Sequence, residues 1–238
     1  MRTGDGSADA LQSRAQRLSK SMFVGGPPRD FASVGRLQLE MMLHEGLWPQ
    51  ARVLDVGCGC LRGGYWLMHF LDPACYFGIE PNTEMLQAGL EVIVEPEILA
   101  RAAPAFSDND RFDFSEFGVA FDFVLARSVW THASFAQIET MLDSFVATSP
   151  GGVFLASYLP ADRVPALPAR LPELARRIPT RTENDRGSWV GRSHHSAVSG
   201  MVRHPFHGVA TACERRGLRV RQLDYGVANG QRWLRIEG

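Results

Sequence analysis

The sequence predicts an α/β fold built on a doubly wound parallel sheet, and three observations predict it. Apolar runs of strand length alternate with amphipathic segments of helix length along most of the chain. A Gly-x-Gly turn at Gly57-Cys58-Gly59 follows the first of these strands, as in nucleotide-binding βαβ units. Asn229-Gly230 separates the last two strand-length runs, which indicates a hairpin. We therefore expect parallel strands with right-handed crossovers and an antiparallel end.

The N-terminal part of the chain is predicted to be helical. Residues 1–30 form a polar leader with apolar residues at helical spacing, which fits a short amphipathic helix, with a frayed tail as the alternative: Leu11, Ala15, Leu18 and Met22. A second helix is expected from Phe31 to Leu47. Its predicted core-facing residues are Leu37, Leu39, Met42 and Leu43.

Strands and helices then alternate. The predicted strands are Val53–Val56, Cys75–Ile79, a short one near Pro104–Phe106, Phe121–Ala126, Val153–Tyr158, Leu218–Asp224 and Arg232–Ile236. The predicted helices are Arg62–Leu71, Thr83–Ala100, Ser134–Thr148 and Phe206–Arg216. Thr83 is the expected N-cap of its helix, and Pro96 should split or kink that helix. Residues 159–205 do not fit a standard crossover and are interpreted as a substrate cover, with an irregular exposed loop as the alternative.

The glycine turn and two acidic residues indicate the kind of cofactor. Asp55 lies in the first strand, and Glu80 ends the second strand about 20 residues after the turn, where an acid can accept both hydroxyls of a ribose. The dinucleotide fingerprint fails because Arg62 stands at its sixth position. Asp55 would repel a pyrophosphate and attract the ammonium of a methionine moiety. These features favour S-adenosylmethionine (SAM) over NAD.

Four segments resemble, in order, the motifs of class I SAM-dependent methyltransferases. They are Val53-Leu-Asp-Val-Gly-Cys-Gly59, Gly78-Ile-Glu-Pro-Asn82, Phe121-Asp-Phe-Val-Leu-Ala126 and Ser149-Pro-Gly-Gly-Val-Phe-Leu155. The variant Gly57-Cys-Gly-Cys-Leu-Arg-Gly-Gly64 resembles a bacterial small-molecule branch of that family. The resemblance implies a Rossmann-like seven-stranded sheet over residues 31–238, a C-terminal antiparallel hairpin and an insertion after strand five. It also implies that residues 1–30 fold over the cofactor as a lid.

The resemblance extends to individual cofactor-binding residues. Gly57, Cys58 and Gly59 should approach the cofactor closely, while Pro81 and Asn82 shape the adenine edge. Asp113-Phe114 should lie beside the adenine, with Asp110-Arg111-Phe112 as the rival pair, and Arg127 should line the methionine side. Arg62 is expected either to contact the cofactor or to pair with an acid or cap the turn. The complete predicted set is Asp55, Gly57, Cys58, Gly59, Arg62, Glu80, Pro81, Asn82, Asp113, Phe114 and Arg127.

Catalytic and substrate residues are predicted from position. His132 follows the fourth strand and could accept a proton from the acceptor; a helix-capping role, or a bond to the cofactor loop, is the alternative. The residues expected to bind the substrate are Tyr158, Trp189, His194 and His195. No carboxylate or cysteine accompanies the later histidines at ligand spacing, so no metal is expected.

Composition excludes several classes of partner. The 238 residues carry a net charge of −1, which gives no basic footprint for nucleic acid. No apolar run reaches the ~20 residues of a membrane span, and no signal-peptide pattern opens the chain. Four cysteines without C-x-x-C spacing suggest neither zinc nor disulfides, and we expect a cytoplasmic protein. A homodimer remains open.

These observations predict methyl transfer from SAM to a small molecule by SN2 displacement, with S-adenosylhomocysteine (SAH) as the second product. The expected acceptor atom is oxygen, with nitrogen and carbon as the alternatives. The alternatives are a non-catalytic SAM-binding partner subunit and a macromolecule methyltransferase. An NAD-dependent oxidoreductase is disfavoured by Arg62 and Asp55.

Overall fold

A computed structural model describes residues 5–161, 202–225 and 230–238. Its strands are Val53–Val56 (β1), Tyr76–Ile79 (β2), Ala105–Ser107 (β3), Phe123–Ala126 (β4), Val153–Tyr158 (β5), Arg219–Leu223 (β6) and Arg232–Glu237 (β7). They form a seven-stranded sheet in the order β3-β2-β1-β4-β5-β7-β6. β2 runs parallel to β1 and β3, whereas β7 is antiparallel to β5 and β6. The predicted α/β sheet with an antiparallel C-terminal end is confirmed.

The helices follow the predicted alternation, the expected split at Pro96 is confirmed, and one N-cap is corrected. They are Asp5–Leu18 (α1), Phe31–His44 (α2), Gly64–Phe70 (α3), Thr83–Ala88 (α4), Pro96–Ala102 (α5), Phe135–Thr148 (α6) and Phe206–Glu214 (α7). Pro96 splits the helix predicted from Thr83 to Ala100, and a π-helical turn, Gly89–Ile93, precedes the break. Thr83 is not the N-cap. Asn82 takes that place, and its side chain accepts a hydrogen bond from Met85 N at 3.1 Å.

The chain divides into two compact units, of which the first comprises residues 1–110 and 121–123. In this first unit the predicted leader helix is confirmed as α1, which buries Leu11, Ala15 and Leu18. The side chain of Gln12 joins α1 to the start of α2: its amide nitrogen donates to Pro28 O, and its amide oxygen accepts from Ala32 N at 3.1 Å.

The buried face of α2 differs from the predicted one. It includes Phe31, Gly35, Gln38 and Met42, which recur at the 3.6-residue period, and the helix ends at His44 rather than Leu47. Leu37 and Leu43 are 51% and 40% exposed, so their predicted place in the core is wrong. The prediction assigned Leu37 and Leu43 to the core because they are apolar, but apolar residues also occupy much of a protein's surface.

The second unit comprises residues 111–120 and 124–238. Its core gathers aromatic rings around Phe154 in β5: the centroids of Phe114, Trp130 and Phe145 lie 6.4, 5.7 and 5.5 Å from it. Ser134 and Gln137 form a capping box at the start of α6. Over the described ranges, none of the helices has the length and apolar character needed to cross a membrane.

Candidate functional site

The glycine turn connects β1 to α3 in the first unit. Gly57 and Gly59 have φ angles of 69° and 57°, in the left-handed region where a residue without a Cβ is least strained. The amides of Gly57 and Cys58 donate to Ile79 O at 2.8 and 3.1 Å, which fixes the turn against the end of β2. The predicted turn thus places its backbone at the carboxyl ends of two parallel strands, where open α/β sheets bind ligands.

Glu80 follows β2 and is only 1% exposed. Its Oε2 accepts from Gly59 N at 2.9 Å, and its Oε1 accepts from Asn82 N at 2.8 Å. The carboxylate therefore links the glycine turn to the segment after β2. Because each carboxylate oxygen can accept more than one hydrogen bond, Glu80 keeps acceptor capacity for hydroxyl donors.

Asp55 is a second buried acid, 3% exposed, in β1. Tyr76 Oη donates to its Oδ2 at 2.9 Å. Burial raises the pKa of Asp55 from 3.8 to about 7, and the charge of Glu80 adds to the rise, while the Tyr76 hydrogen bond and the charge of Arg62 oppose it. A cation beside this carboxylate would stabilise its ionised form.

Arg62 lies beside the leader. A Cβ built on Gly26 would be 3.0 Å from Arg62 Nη1, so the guanidinium is close to the leader's Gly25-Gly26 turn. Burial lowers the pKa of Arg62, opposed by Cys60 and Asp55. Within the described ranges no acid forms an ion pair with Arg62, and α3 begins without a side-chain cap. Contact of Arg62 with the cofactor and its alternative role as a cap of the turn both stay predictions.

The cysteines of the turn are small, buried packing residues. Burial raises the pKa of Cys58 well above its usual range and that of Cys60 to about 12, so both remain neutral thiols near neutral pH. Cys60 Sγ lies 3.7 Å from Val24 O in the leader. Both cysteines thus act as small residues that fit a tight turn.

The predicted adenine-side residues of the second unit lie on a 3₁₀ turn, Phe114–Phe117. Asp113 caps this turn, and its Oδ1 accepts from Ser115 N at 2.9 Å, which lowers the pKa of the Asp113 carboxyl together with the Ser115 hydroxyl. Phe114 is fully buried against Phe154. In the rival pair, Phe112 is also buried and has a φ of 57°. Both assignments stay predictions.

Arg127 follows β4 and belongs to a polar network. Its Nη1 donates to Ser157 Oγ at 3.2 Å, to Ser128 Oγ at 2.7 Å and to the Gln231 side chain. Its guanidinium also lies 5.5 Å from the centre of the Trp233 ring. These contacts fix Arg127 within the second unit, and its predicted role beside the methionine remains a prediction.

Comparison with solved structures identifies the fold. Magnesium protoporphyrin IX methyltransferase from Synechocystis PCC 6803, with bound SAH, is 16% identical over 95% of this chain and 94% of that chain, with a TM-score of 0.61. The DhpI-SAM-HEP complex is 18% identical over 99% and 100%, with a TM-score of 0.56. The methyltransferase domain of bacterial CtHen1-C is 13% identical over 85% and 96%, with a TM-score of 0.57. This chain has the class I methyltransferase fold.

Family models and curated proteins give no match. At these identities the structural likeness establishes the methyltransferase fold alone, and the chemistry must be argued from the residues of this chain.

His132 follows β4 of the methyltransferase fold in the second unit and is half-buried. Burial lowers the pKa of His132 below 6.5, so its imidazole is neutral and able to accept a proton near neutral pH. Its backbone amide donates to Val129 O at 3.0 Å.

The predicted substrate residues fall into two groups. Tyr158 is fully buried at the end of β5, whereas Trp189, His194 and His195 lie outside the described residues, as does most of the predicted cover. No group of three potential metal ligands occurs in the ranges that the structure describes.

Sequence reasoning gave no role to His204, which is 1% exposed with its Nε2 3.0 Å from Trp130 O. No local signal marks it, because Trp130 and His204 are 74 positions apart.

Proposed function

We propose that this chain is an enzyme that transfers a methyl group from SAM to an oxygen atom of a small-molecule acceptor. The observation that carries the proposal is Glu80, a buried carboxylate that accepts from both Gly59 N and Asn82 N. It lies at the end of β2, where an acid can receive the two hydroxyls of a ribose. Bound SAM or SAH in structures that share the fold supports the same cofactor.

The residues of the first unit fit the functional groups of SAM. Glu80 would accept from the ribose hydroxyls, and Asp55 would accept from the ammonium of the methionine moiety. Arg62 carries a guanidinium without an ion-pair partner among the described residues, and it would bind the carboxylate of that moiety. The backbone at Gly57, Cys58 and Gly59 leaves room for close approach.

The remaining cofactor assignments rest on the family resemblance. Pro81 and Asn82 would border the adenine, and Asp113 and Phe114 would lie beside it, while Arg127 would face the methionine side. The leader would act as a lid, which the closeness of the Gly25-Gly26 turn to Arg62 supports.

Methyl transfer depends mainly on alignment of the acceptor oxygen, the methyl carbon and the sulfur, and less on acid or base chemistry. When bound, SAM supplies a methyl group attached to a sulfonium. The chain's part is to hold the acceptor oxygen in line and to take its proton, for which the neutral His132 imidazole is suited. The predicted acceptor-binding residues are Tyr158, Trp189, His194 and His195. The proposed setting is cytoplasmic small-molecule biosynthesis, by a monomer or homodimer.

A small-molecule acceptor is favoured over a macromolecule by the net charge of −1, which provides no general attraction to nucleic acid. The name of the protoporphyrin methyltransferase also specifies a small molecule. A non-catalytic SAM-binding subunit would share the cofactor residues but produce no SAH.

Isothermal titration with SAM, SAH and NAD tests the proposal. We expect binding of SAM and SAH and none of NAD, followed by SAH formation when acceptors are screened with SAM. Binding of NAD alone would overturn the proposal. Binding of SAM without turnover on any small molecule would favour the partner-subunit alternative.

A further inference from the structure

A pocket in the second unit lies along one face of α7, with a volume of about 410 Å³. Its lining includes Phe135 at the start of α6 and Ala161, three residues after β5 ends. These segments follow β4 and β5, so this end of the pocket lies at the carboxyl ends of these strands, the edge at which open α/β sheets bind ligands. The volume is that of a small-molecule site.

The charge of this pocket is one-sided. Arg203, His207 and Arg215 line it, and none of the described residues that line it is acidic. Neither Arg203 nor Arg215 has an ion-pair partner in the part of the chain that the structure describes. The neighbouring Arg216 differs: it binds Asp143 at 2.6 Å and Glu139 at 3.6 Å. The two arginines that line the pocket thus differ from Arg216, whose guanidinium is engaged by acids.

The arrangement of the lining suits an elongated ligand. His207 in α7 and Arg215, the residue that follows the last turn of α7, lie eight positions apart, which places them about 12 Å apart along the helix axis. Apolar surface from Phe135, Pro205 and Ala212 contributes to the lining. Arg203 is held at the wall because its Nη1 donates to Pro160 O at 3.1 Å. A fixed guanidinium next to apolar surface matches a ligand with an anionic group on an apolar body.

We propose that this pocket binds a carboxylate or phosphate group of the small molecule that accepts the methyl group. The identification of the ligand as the methyl acceptor rests on the proposed methyl-transfer function. The anionic group of the ligand is inferred from the pocket itself. It names an anionic small molecule as the substrate class. Arg203 and Arg215 are specificity-determining residues in this scheme, and neither is required for cofactor binding.

Binding of simple probes tests the anion site without knowledge of the acceptor. Phenyl phosphate and benzoate are titrated into the full-length protein, with benzyl alcohol as the neutral control of similar ring size. Binding is followed by backbone amide shifts in NMR spectra. We expect at least one anionic probe to shift amides of α7, and benzyl alcohol to bind at least tenfold more weakly. The phosphate and carboxylate arms show which anion the pocket prefers.

Two variants and a matched control localise the effect. Arg203→Gln and Arg215→Gln should each weaken the preferred probe at least tenfold, and the Arg→Lys variants should recover part of the affinity. Arg219→Gln removes an exposed charge from β6 and should leave probe affinity unchanged. Melting temperatures identify any variant that fails to fold. No shift with either anion, equal binding of benzyl alcohol, or an equal loss in Arg219→Gln would overturn the inference.

A titration with SAM on the same variants separates the two proposals. SAM affinity should be unchanged in Arg203→Gln and Arg215→Gln. If the wild-type protein binds SAM but neither anion, the anion site is wrong and the methyl-transfer proposal stands. If it binds an anion in the pocket but not SAM, the methyl-transfer proposal fails. For acceptors found by screening, Arg203→Gln should raise KM at least tenfold with kcat largely retained, whereas acceptors without an anionic group would overturn the inference.

Discussion

The glycine turn of the first unit and the α7 pocket of the second unit carry opposite charge by different means. At the turn, Asp55 and Glu80 are almost fully buried, and their partners are backbone amides and the Tyr76 hydroxyl. In the pocket, Arg203 and Arg215 have no ion-pair partner among the described residues. Buried carboxylates held by hydrogen bonds form a rigid site for hydroxyl and ammonium donors, whereas the two pocket arginines offer guanidinium donors at a partly exposed surface. Under the two proposals, the first region would bind the cofactor and the second would bind the anionic group of the acceptor.

The largest expected effect comes from removal of the Glu80 carboxylate beside the glycine turn. Glu80→Ala should weaken SAM binding at least 100-fold, because each charge-assisted hydrogen bond contributes roughly 1.5–3 kcal/mol and two are lost. Isothermal titration measures the change, and Glu84→Ala, which removes an exposed acid from α4, is the matched control. Glu80→Gln removes the charge but keeps the shape of the side chain, so its SAM affinity separates these two contributions. Unchanged affinity would mean that the ribose assignment is wrong.

His132 belongs to neither of the two charged regions, so its substitution should affect methyl transfer and not SAM binding. His132→Ala should lower kcat about 100-fold, the scale of a lost general base, and leave SAM affinity within about twofold. In the wild type, kcat should rise with pH through a pKa below 6.5, because only the neutral imidazole accepts the proton. The exposed His69→Ala serves as the control. A loss of affinity with kcat intact would contradict the base role.

Asp55→Asn tests whether the buried charge serves binding at the expense of stability. The native Asp55 pKa of about 7 exceeds its ordinary value of 3.8, so the folded protein holds a proton that the unfolded chain releases between these values. The free energy of unfolding should therefore fall as pH rises through this window, by up to about 4 kcal/mol. The variant should lose this decline and be more stable than the wild type at about pH 8.

The same variant should bind SAM about tenfold more weakly at about pH 8, since it lacks the carboxylate for the ammonium. In the wild type, SAM affinity should decrease as pH falls below about 7. Thermal unfolding and titration across pH measure both effects. A variant that gains stability while retaining full SAM affinity would show that Asp55 does not face the cofactor.

The smallest expected effect is on stability, and it compares Arg215 with its neighbour Arg216. Arg216→Gln should lower the free energy of unfolding by about 1 kcal/mol, because its ion pairs with Asp143 and Glu139 are partly exposed. Arg215→Gln should change stability by less than about 0.5 kcal/mol. Urea unfolding resolves the difference. Equal losses would show that Arg215 also has a structural role.

The sequence predicts the glycine turn and the end of β2 well because their signals are local. Gly57, Gly59 and Glu80 lie at strand ends, where a few adjacent residues determine backbone conformation and side-chain position. The helix cap was placed one residue late because Asn82 and Thr83 are both capping residues, and asparagine is the stronger of the two. The α7 pocket could not be predicted, because Phe135, Ala161 and Arg203 come together only through the folding of distant segments.

The contacts of Gln12 have a consequence for how the leader unfolds. Because this side chain accepts from an amide in the first turn of α2, detachment of α1 removes a hydrogen bond that stabilises the start of α2. The leader should therefore open together with α2, as one cooperative element. Amide hydrogen exchange should show matching protection in α1 and α2, and a protease should cut α1 no faster than α2.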